Sequence, residues 1–457
     1  KCIGQMYKYT SGSVKLDGSE VIDLTKKDLI GSVGFISQTP FVFTGSIEEN
    51  LLYAADAASV PINTDREGGE DRKAGLDKMI LALQQAGLFS DVMRFGLDSN
   101  SDSFNQDMIQ RIIRMRGHFQ ENFGETLKDA VEFYEVGHYH LYSTVAENIF
   151  FGSSHEKNLT PEMLLKDQQF KAFLEESKLV KPLQELGAKL ADKTVNLAVE
   201  IESVDQIGKY LPVTPDQIDD CKLLVTTIDK AGLDTLSAED GQYLLTLAMK
   251  YMPGAHKDVV FEDALKTLIL EARKAWVSMH ELTEKYGFAR YQTDGYIYGE
   301  SILNNIFFGR AKTDMPKAQD KINQAIIHLL IEEDCLEEIA EIGMKFEVGS
   351  MGDRLSGGQR QKLAIARVLL KQPRIVIMDE ATSALDNKSQ SRIQNIIDTR
   401  WKGKRTVISV VHRLDSIKNF DKVAVMKAGK IMEIGSYQEL LDKKGGLYEL
   451  VHGKQKD

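Results

Sequence analysis

The sequence predicts an α/β fold in which a long, mostly helical stretch interrupts a domain built on a buried parallel sheet. Three observations predict it. Residues 355–427 alternate between helical and strand patterns, and the strands Ile375-Val376-Ile377-Met378 and Thr406-Val407-Ile408-Ser409-Val410-Val411 are apolar runs without alternation, the pattern of parallel strands covered on both faces. Residues 11–44 are β-rich. Residues 60–290 differ from both: they are charged, Leu-rich and mostly at helical spacing.

The elements follow in order. Ser13-Val14-Lys15-Leu16 alternates up to the turn Asp17-Gly18, and Ser32 to Ile36 reads as a second short strand. Leu76 to Leu88, Glu162 to Leu179, Gln242 to Met249 and Phe261 to His280 are the clearest helices of the middle stretch. Sustained heptads are missing, which excludes long coiled-coil arms. Helix 360–371, strand 375–378, helix 387–398 and strand 406–411 come next. Val423-Ala424-Val425-Met426 and Lys430-Ile431-Met432-Glu433 read as a hairpin across Ala428-Gly429, and Ser436 with Glu439 reads as a capping box for a helix at Gln438 to Leu441.

At 457 residues the chain has room for two or three domains. Its 42% hydrophobic and 27% charged content is that of an ordinary globular protein, and a net charge of -11 argues against nucleic acid as the main partner. Cys2, Cys221 and Cys335 are odd in number and form no CxxC, so they read as reduced thiols. No run approaches the roughly 18 apolar residues of a membrane helix, and Lys1-Cys2-Ile3 opens no signal peptide. The missing initiator Met raises the expectation that the chain is part of a longer polypeptide. His138 and His140 have metal-ligand spacing, but no third ligand is evident, so surface or packing roles are expected.

One segment recurs. Pro40 to Tyr53 (PFVFTGSIEENLLY) is echoed by Tyr139 to Gly152 (YHLYSTVAENIFFG) and by Tyr296 to Gly309 (YIYGESILNNIFFG). All three share an aromatic, a Ser or Thr, a branched residue and an Asn before an apolar pair, which points to duplication.

The residues with chemistry lie mostly near the C-terminus. Asp379 ends a buried apolar strand, a rigid place from which a carboxylate can face the water shell of Mg²⁺ beside phosphates, and Glu380 follows directly. In Leu355-Ser356-Gly357-Gly358-Gln359, two glycines let the backbone approach a phosphate, and the next helix points its positive end at it.

Taken with Ser383-Ala384-Leu385-Asp386, this set resembles the nucleotide-binding domain of an ATP-binding cassette (ABC) transporter: a P-loop NTPase-like ABC cassette with a RecA-like core and a helical subdomain. The resemblance implies that Leu355, Ser356, Gly357, Gly358 and Gln359 are the signature reaching ATP across a dimer. It makes Asp379 the Walker B carboxylate and Glu380 the residue that polarises the attacking water. Ser383 and Asp386 belong to the D-loop, and His412 is the switch histidine. Gln38, in Gly34-Phe35-Ile36-Ser37-Gln38-Thr39-Pro40, is similar to the Q-loop glutamine, which with Asp379 holds Mg²⁺ through water. Phe346 to Gly352, and Pro40 to Asn50 after Gln38, resemble the exporter type.

Two features depart from the family. No GxxxxGK[ST] Walker A strand-loop occurs in the chain, so the lysine and amides that neutralise the β- and γ-phosphates are absent from this sequence; truncation is the expected reason, and activity of the chain alone is doubtful. Gln38 and Leu355 stand 317 positions apart, whereas Asn305 precedes Leu355 by only 50. The expected domains are therefore 1–54 (cassette with Q-loop), 55–295 (a helical insertion, loosely similar to long bacterial ABC proteins) and 296–457 (the rest of the cassette). Val136 and Thr293 replace the glutamine in the echoes.

The resemblance implies ATP and Mg²⁺ as cofactors, a second nucleotide-binding domain and a transmembrane domain as partners, no nucleic acid, and a place at the cytoplasmic face of the bacterial inner membrane, reached only through that transmembrane domain. The alternatives are a soluble ABC ATPase acting on nucleic acid or the ribosome, and a non-catalytic partner-binding module.

Overall fold

The computed structural model describes residues 2–57, 70–100, 104–154, 159–201, 204–256, 258–312, 318–411 and 414–452. The chain divides into two compact units, Lys1–Gly96 with Glu337–Asp457, and Leu97–Leu336. These limits differ from the expected 55–295. Helix Glu70–Ala86 packs against helix Gly357–Lys371, so it belongs with the first unit, and the third echo falls in the second unit. The charge is just as unevenly divided: the second unit has 39 Asp and Glu against 25 Lys and Arg, the first 29 against 32.

The first unit has the α/β core that the sequence predicts. Its parallel sheet runs in the order Val33–Ile36, Ile375–Asp379, Thr406–Val410, with Gly34 opposite Val376 and Asp379 opposite Val410. Val376 and Met378 are buried with Ile36, Leu51, Leu83, Val92, Leu363 and Ile365 in one core, which explains the unalternated apolar run. The strand Thr406–Val410 is only half covered. Helix Gly357–Lys371 lies on Val33–Ile36, Ile47–Ala57 and Glu70–Ala86. Val92, Gly96, Ile339 and Gly343 form a close crossing: a Cβ on Gly343 would sit 2.0 Å from the Val92 carbonyl oxygen. The hairpin forms as expected, Val423–Lys427 against Lys430–Gly435, turning on Ala428 and Gly429 with φ of 48° and 76°. The Ser436–Glu439 capping box is present.

The second unit is mostly helical. Leu183, Leu186 and Leu190 on Val180–Glu200 share a core with Leu244, Leu247 and Ala248 on Ala238–Lys250. Gly187 lets these helices touch, since a Cβ there would lie 2.2 Å from the Leu244 carbonyl oxygen. The helix expected over 162–179 is broken into Pro161–Leu164 and Gln168–Glu176. Asp167 causes the break: its carboxylate caps the second helix by accepting from the Gln169 and Phe170 amides.

The echoes are structural copies. A constant shift of 157 positions maps Val131–Phe133, Val145–Phe150 and Gly152–Ser154 onto Phe288–Arg290, Ile302–Phe307 and Gly309–Ala311. The copies pair reciprocally: Val131–Phe133 runs antiparallel to Gly309–Ala311, and Phe288–Arg290 antiparallel to Gly152–Ser154. The second unit therefore contains an internal pseudo-twofold. Tyr134 and its counterpart Tyr291 stack at 4.5 Å between ring centroids, with Phe151 and Phe308 packed around them. Phe151 and Phe308 both take left-handed backbone, at φ of 44° and 46°.

Candidate functional site

Strand Ile375–Asp379 delivers Asp379 and Glu380 to the carboxyl end of the sheet. Glu380 adopts left-handed backbone at φ 51°, an uncommon conformation for a non-glycine residue. It is held there because its N–H donates to the Val410 carbonyl at 3.0 Å and its carbonyl accepts from the Ser383 amide at 3.1 Å and the Ser383 hydroxyl at 3.0 Å. Such strain persists only where the surroundings fix it, and it clusters at functional sites. The neighbouring strand end brings Gln38 across: its Nε2 donates to Glu380 Oε2 at 2.7 Å. Two residues far apart in sequence therefore meet because Val33–Ile36 and Ile375–Asp379 are paired in parallel.

The signature segment is a helix N-terminus. Ser356 caps Gly357–Lys371: its hydroxyl oxygen accepts from the Gln359 amide at 3.3 Å, while Gln359 Oε1 accepts from the Ser356 amide at 2.8 Å. The Ser356 O–H remains able to donate outward. Gln359 Nε2 donates to Asp91 Oδ1 at 2.9 Å, and Lys362 pairs with the same carboxylate. A Cβ on Gly358 would press on the Ala384 carbonyl at 3.2 Å, whereas one on Gly357 would only touch the Arg360 guanidinium at 4.0 Å. Leu355 is buried. Asp386 serves as the cap of Asn387–Ile396, accepting from the Ser389 amide and hydroxyl, and those bonds hold its carboxyl below the usual range. His412 lies outside the described residues.

Sequence reading missed the residue that ties these pieces together. Arg367, three turns into the signature helix, is half-buried among its partners. Its Nε donates to the Asn50 carbonyl, Nη1 to the Phe41 carbonyl at 2.6 Å and Nη2 to Asn50 Oδ1, with the guanidinium over the Phe43 ring. Burial lowers its pKa to about 10. The same device recurs in the second unit. Arg273 donates to the Asn148 carbonyl and Oδ1 and to the carbonyls of Val136 and His138, over Phe151. Arg116 donates to the Asn305 carbonyl and Oδ1 and to the carbonyls of Gln292, Thr293 and Gly295, over Phe308. Each arginine stands the same distance after its helix N-cap (Ser356, Asn105 and Glu262), a spacing that was present in the sequence.

At the Gln38 position the copies have Val136 and Thr293, and in place of Gly357 and Gly358 they have Gln106-Asp107 and Asp263-Ala264. Among the described residues no group of three His, Cys, Asp or Glu is placed to hold a metal directly. No helix among them is long and apolar enough to cross a membrane.

Comparison with known proteins covers part of this geometry. The ABC transporter family profile matches residues 265–383, a segment that runs from the second unit into the first and includes the signature and Asp379-Glu380, but not Gln38. The chain is similar to the ATP-dependent lipid A-core flippase of Saccharophagus degradans, 39% identical over 178 residues, covering 39% of this chain and 29% of that protein. It is also similar to the heterocyst differentiation ATP-binding protein HepA of Nostoc, 44% identical over 156 residues (34% and 24%), and to the ABC multidrug transporter MDR1 of Cryptococcus neoformans, 43% over 155 residues (34% and 11%). The chain thus spans less than a third of the length of each of these relatives. A solved bacterial Atm1-family ABC exporter with ATP bound aligns over 90% of this chain and 92% of its own, at 16% identity and a TM-score of 0.24, too low to support a fold comparison. Over residues 265–383 the chain is similar to the ABC transporter cassette, a P-loop NTPase-like fold, and its relatives over that share of the chain are ABC transporters.

Proposed function

We propose that Asp379, Glu380, Gln38 and the signature segment form part of an ATP-hydrolysing site that powers an exporter-type ABC transporter. The 2.7 Å bond between Gln38 and Glu380 carries this reading. The bond supports a reading in which Gln38 senses a bound nucleotide and Glu380 polarises the attacking water. The strained backbone of Glu380 fixes where that carboxylate points, so little reorganisation is left for the reaction.

The oxygens of the Asp379 carboxylate and the Gln38 amide are hard donors of the kind Mg²⁺ takes, and through water they suit its octahedral shell. When bound, Mg²⁺ would neutralise charge on the β- and γ-phosphates. The free amides of Gly357 and Gly358 and the outward Ser356 hydroxyl would contact the γ-phosphate of a nucleotide held mainly by a second cassette. No GxxxxGK[ST] loop occurs in this sequence, and a phosphate-binding loop contributed from elsewhere is part of the proposal. A second cassette, a transmembrane domain and a location at the cytoplasmic face of the bacterial inner membrane belong to the same reading. Leu97–Leu336 keeps the clamp of the cassette without the glutamine and glycines, which supports a role without nucleotide.

The test is Glu380→Gln in the natural polypeptide. Hydrolysis should fall by about a hundredfold or more, while ATP binding persists and ATP-dependent dimers accumulate. Wild-type turnover by that variant would overturn the reading.

A further inference from the structure

At the end of the sheet opposite Asp379, the starts of two strands lie side by side. Thr406 donates its N–H to the Arg374 carbonyl at 3.0 Å, so Arg374 and Arg405 flank one another ahead of strands Ile375–Asp379 and Thr406–Val410. Beside them opens a cavity of about 550 Å³ lined by Arg374, Arg400, Lys404, Arg405, Thr399 and Gln372. No Asp or Glu lines it among the described residues. Arg374, Arg400 and Lys404 have no ion-pair partner among the described residues, and only Arg405 is tied down, by Nη1 donating to the Pro373 carbonyl. An adjoining cavity of about 460 Å³ continues the cleft past Arg400, Arg405 and Lys78 to Trp401 and Leu81.

Four cations on one cleft in a chain of net charge -11 repel one another unless an anion lies between them. The backbone is also specially shaped there. Helix Asn387–Ile396 does not stop cleanly but widens into a π-turn over Ile397–Trp401, closed by the Lys402 N–H on the Ile397 carbonyl at 2.9 Å. That turn carries Thr399, Arg400 and Trp401 onto the cleft. Single π-turns are rare and occur disproportionately at functional sites.

We propose that this cleft binds a multiply charged phosphate-bearing anion, its phosphates among Arg374, Arg400, Lys404 and Arg405, and any apolar portion against Leu81 and Trp401. Guanidinium groups suit phosphate oxygens because they donate two parallel bonds. The site is separate from the ATP site proposed above and does not depend on it, since it lies at the other end of the same strands.

Trp401, largely buried but lining the cleft, provides the readout, and the only other tryptophan, Trp276, lies in the second unit. In a Trp276→Phe background, titration with inorganic pyrophosphate in EDTA should change Trp401 fluorescence saturably, with affinity falling as salt rises. Arg400→Gln with Lys404→Gln, both exposed, should weaken binding about tenfold or more, while Lys430→Gln on the distant hairpin and Glu380→Gln leave it unchanged. Competition by vesicles containing a phosphoinositide, and not by neutral vesicles, would identify a lipid headgroup as the source; indifference to both would identify a soluble phosphate. No pyrophosphate response, or one that survives the double variant, would overturn the site. Selective tight binding of single-stranded DNA that pyrophosphate cannot displace would overturn it as well.

Discussion

The cassette unit and the second unit hold the same clamp in three copies, yet only the first surrounds it with chemistry. Arg367 with Asn50, Arg273 with Asn148 and Arg116 with Asn305 use the same atoms for the same bonds. In the cassette the clamped loop leads back to Gln38 and its carboxylate partner. In the second unit the equivalent loops bear Val136 and Thr293, and their aromatic residues bury one another around the Tyr134–Tyr291 stack. The clamp is therefore a folding device. A buried guanidinium satisfies several loop carbonyls at once, and that need is independent of whether the loop carries a catalytic partner.

Breaking the clamps one at a time is the strongest test of this comparison. Arg367→Ala should destabilise the cassette unit, and Arg116→Ala or Arg273→Ala the second unit, by about 3 kcal/mol each, because the carbonyls and Asn side chain left behind stay buried. By calorimetry that is a drop of roughly 6–12 °C in the transition of one unit only; equal movement of both transitions would show that the units do not melt separately.

Next in size are the glycine crossings. Gly187→Ala should cost the second unit roughly 1–3 kcal/mol, and Gly343→Ala the cassette a similar amount, because the new methyl meets backbone. Gly117→Ala, in open space on helix Gln106–Leu127, should instead stabilise by about 0.5–1 kcal/mol.

Acid should separate the two copies within the second unit. His140 is buried, accepts the Glu135 N–H on Nε2 at 2.9 Å and stacks on Phe151, and its pKa is lowered to about 4 by burial, with Arg273 and His138 adding to the effect. Its counterpart is Ile297. Because the folded value lies below the unfolded one of about 6.5, the unfolded chain binds the extra proton. Stability from this residue is complete above about pH 6.5 and declines as pH falls toward 4, by up to about 1.4 kcal/mol per pH unit. Denaturant midpoints at pH 7 and 5 should move less in His140→Ile than in the parent protein.

The smallest expected effect concerns the three helix starts. Ser356→Ala and Asn105→Ala should each cost about 1 kcal/mol of helix stability. Glu262→Ala should cost less, since its side chain makes no capping bond and only an exposed ion pair with Lys189.

The sequence by itself determined the α/β core, the strand that ends in Asp379, the capped hairpin end and the threefold echo, because these rest on local periodicity and on residues close together in the chain. Its limits failed where packing decided. Residues 70–96 read as the start of an insertion, but they belong with the first unit, because helix Glu70–Ala86 covers an apolar face of Gly357–Lys371. Only tertiary structure joined Gln38 to Glu380 and each arginine to its asparagine. Those pairs lie 125 to 342 positions apart, and no pattern in one stretch of chain encodes which distant stretch will satisfy its buried polar groups.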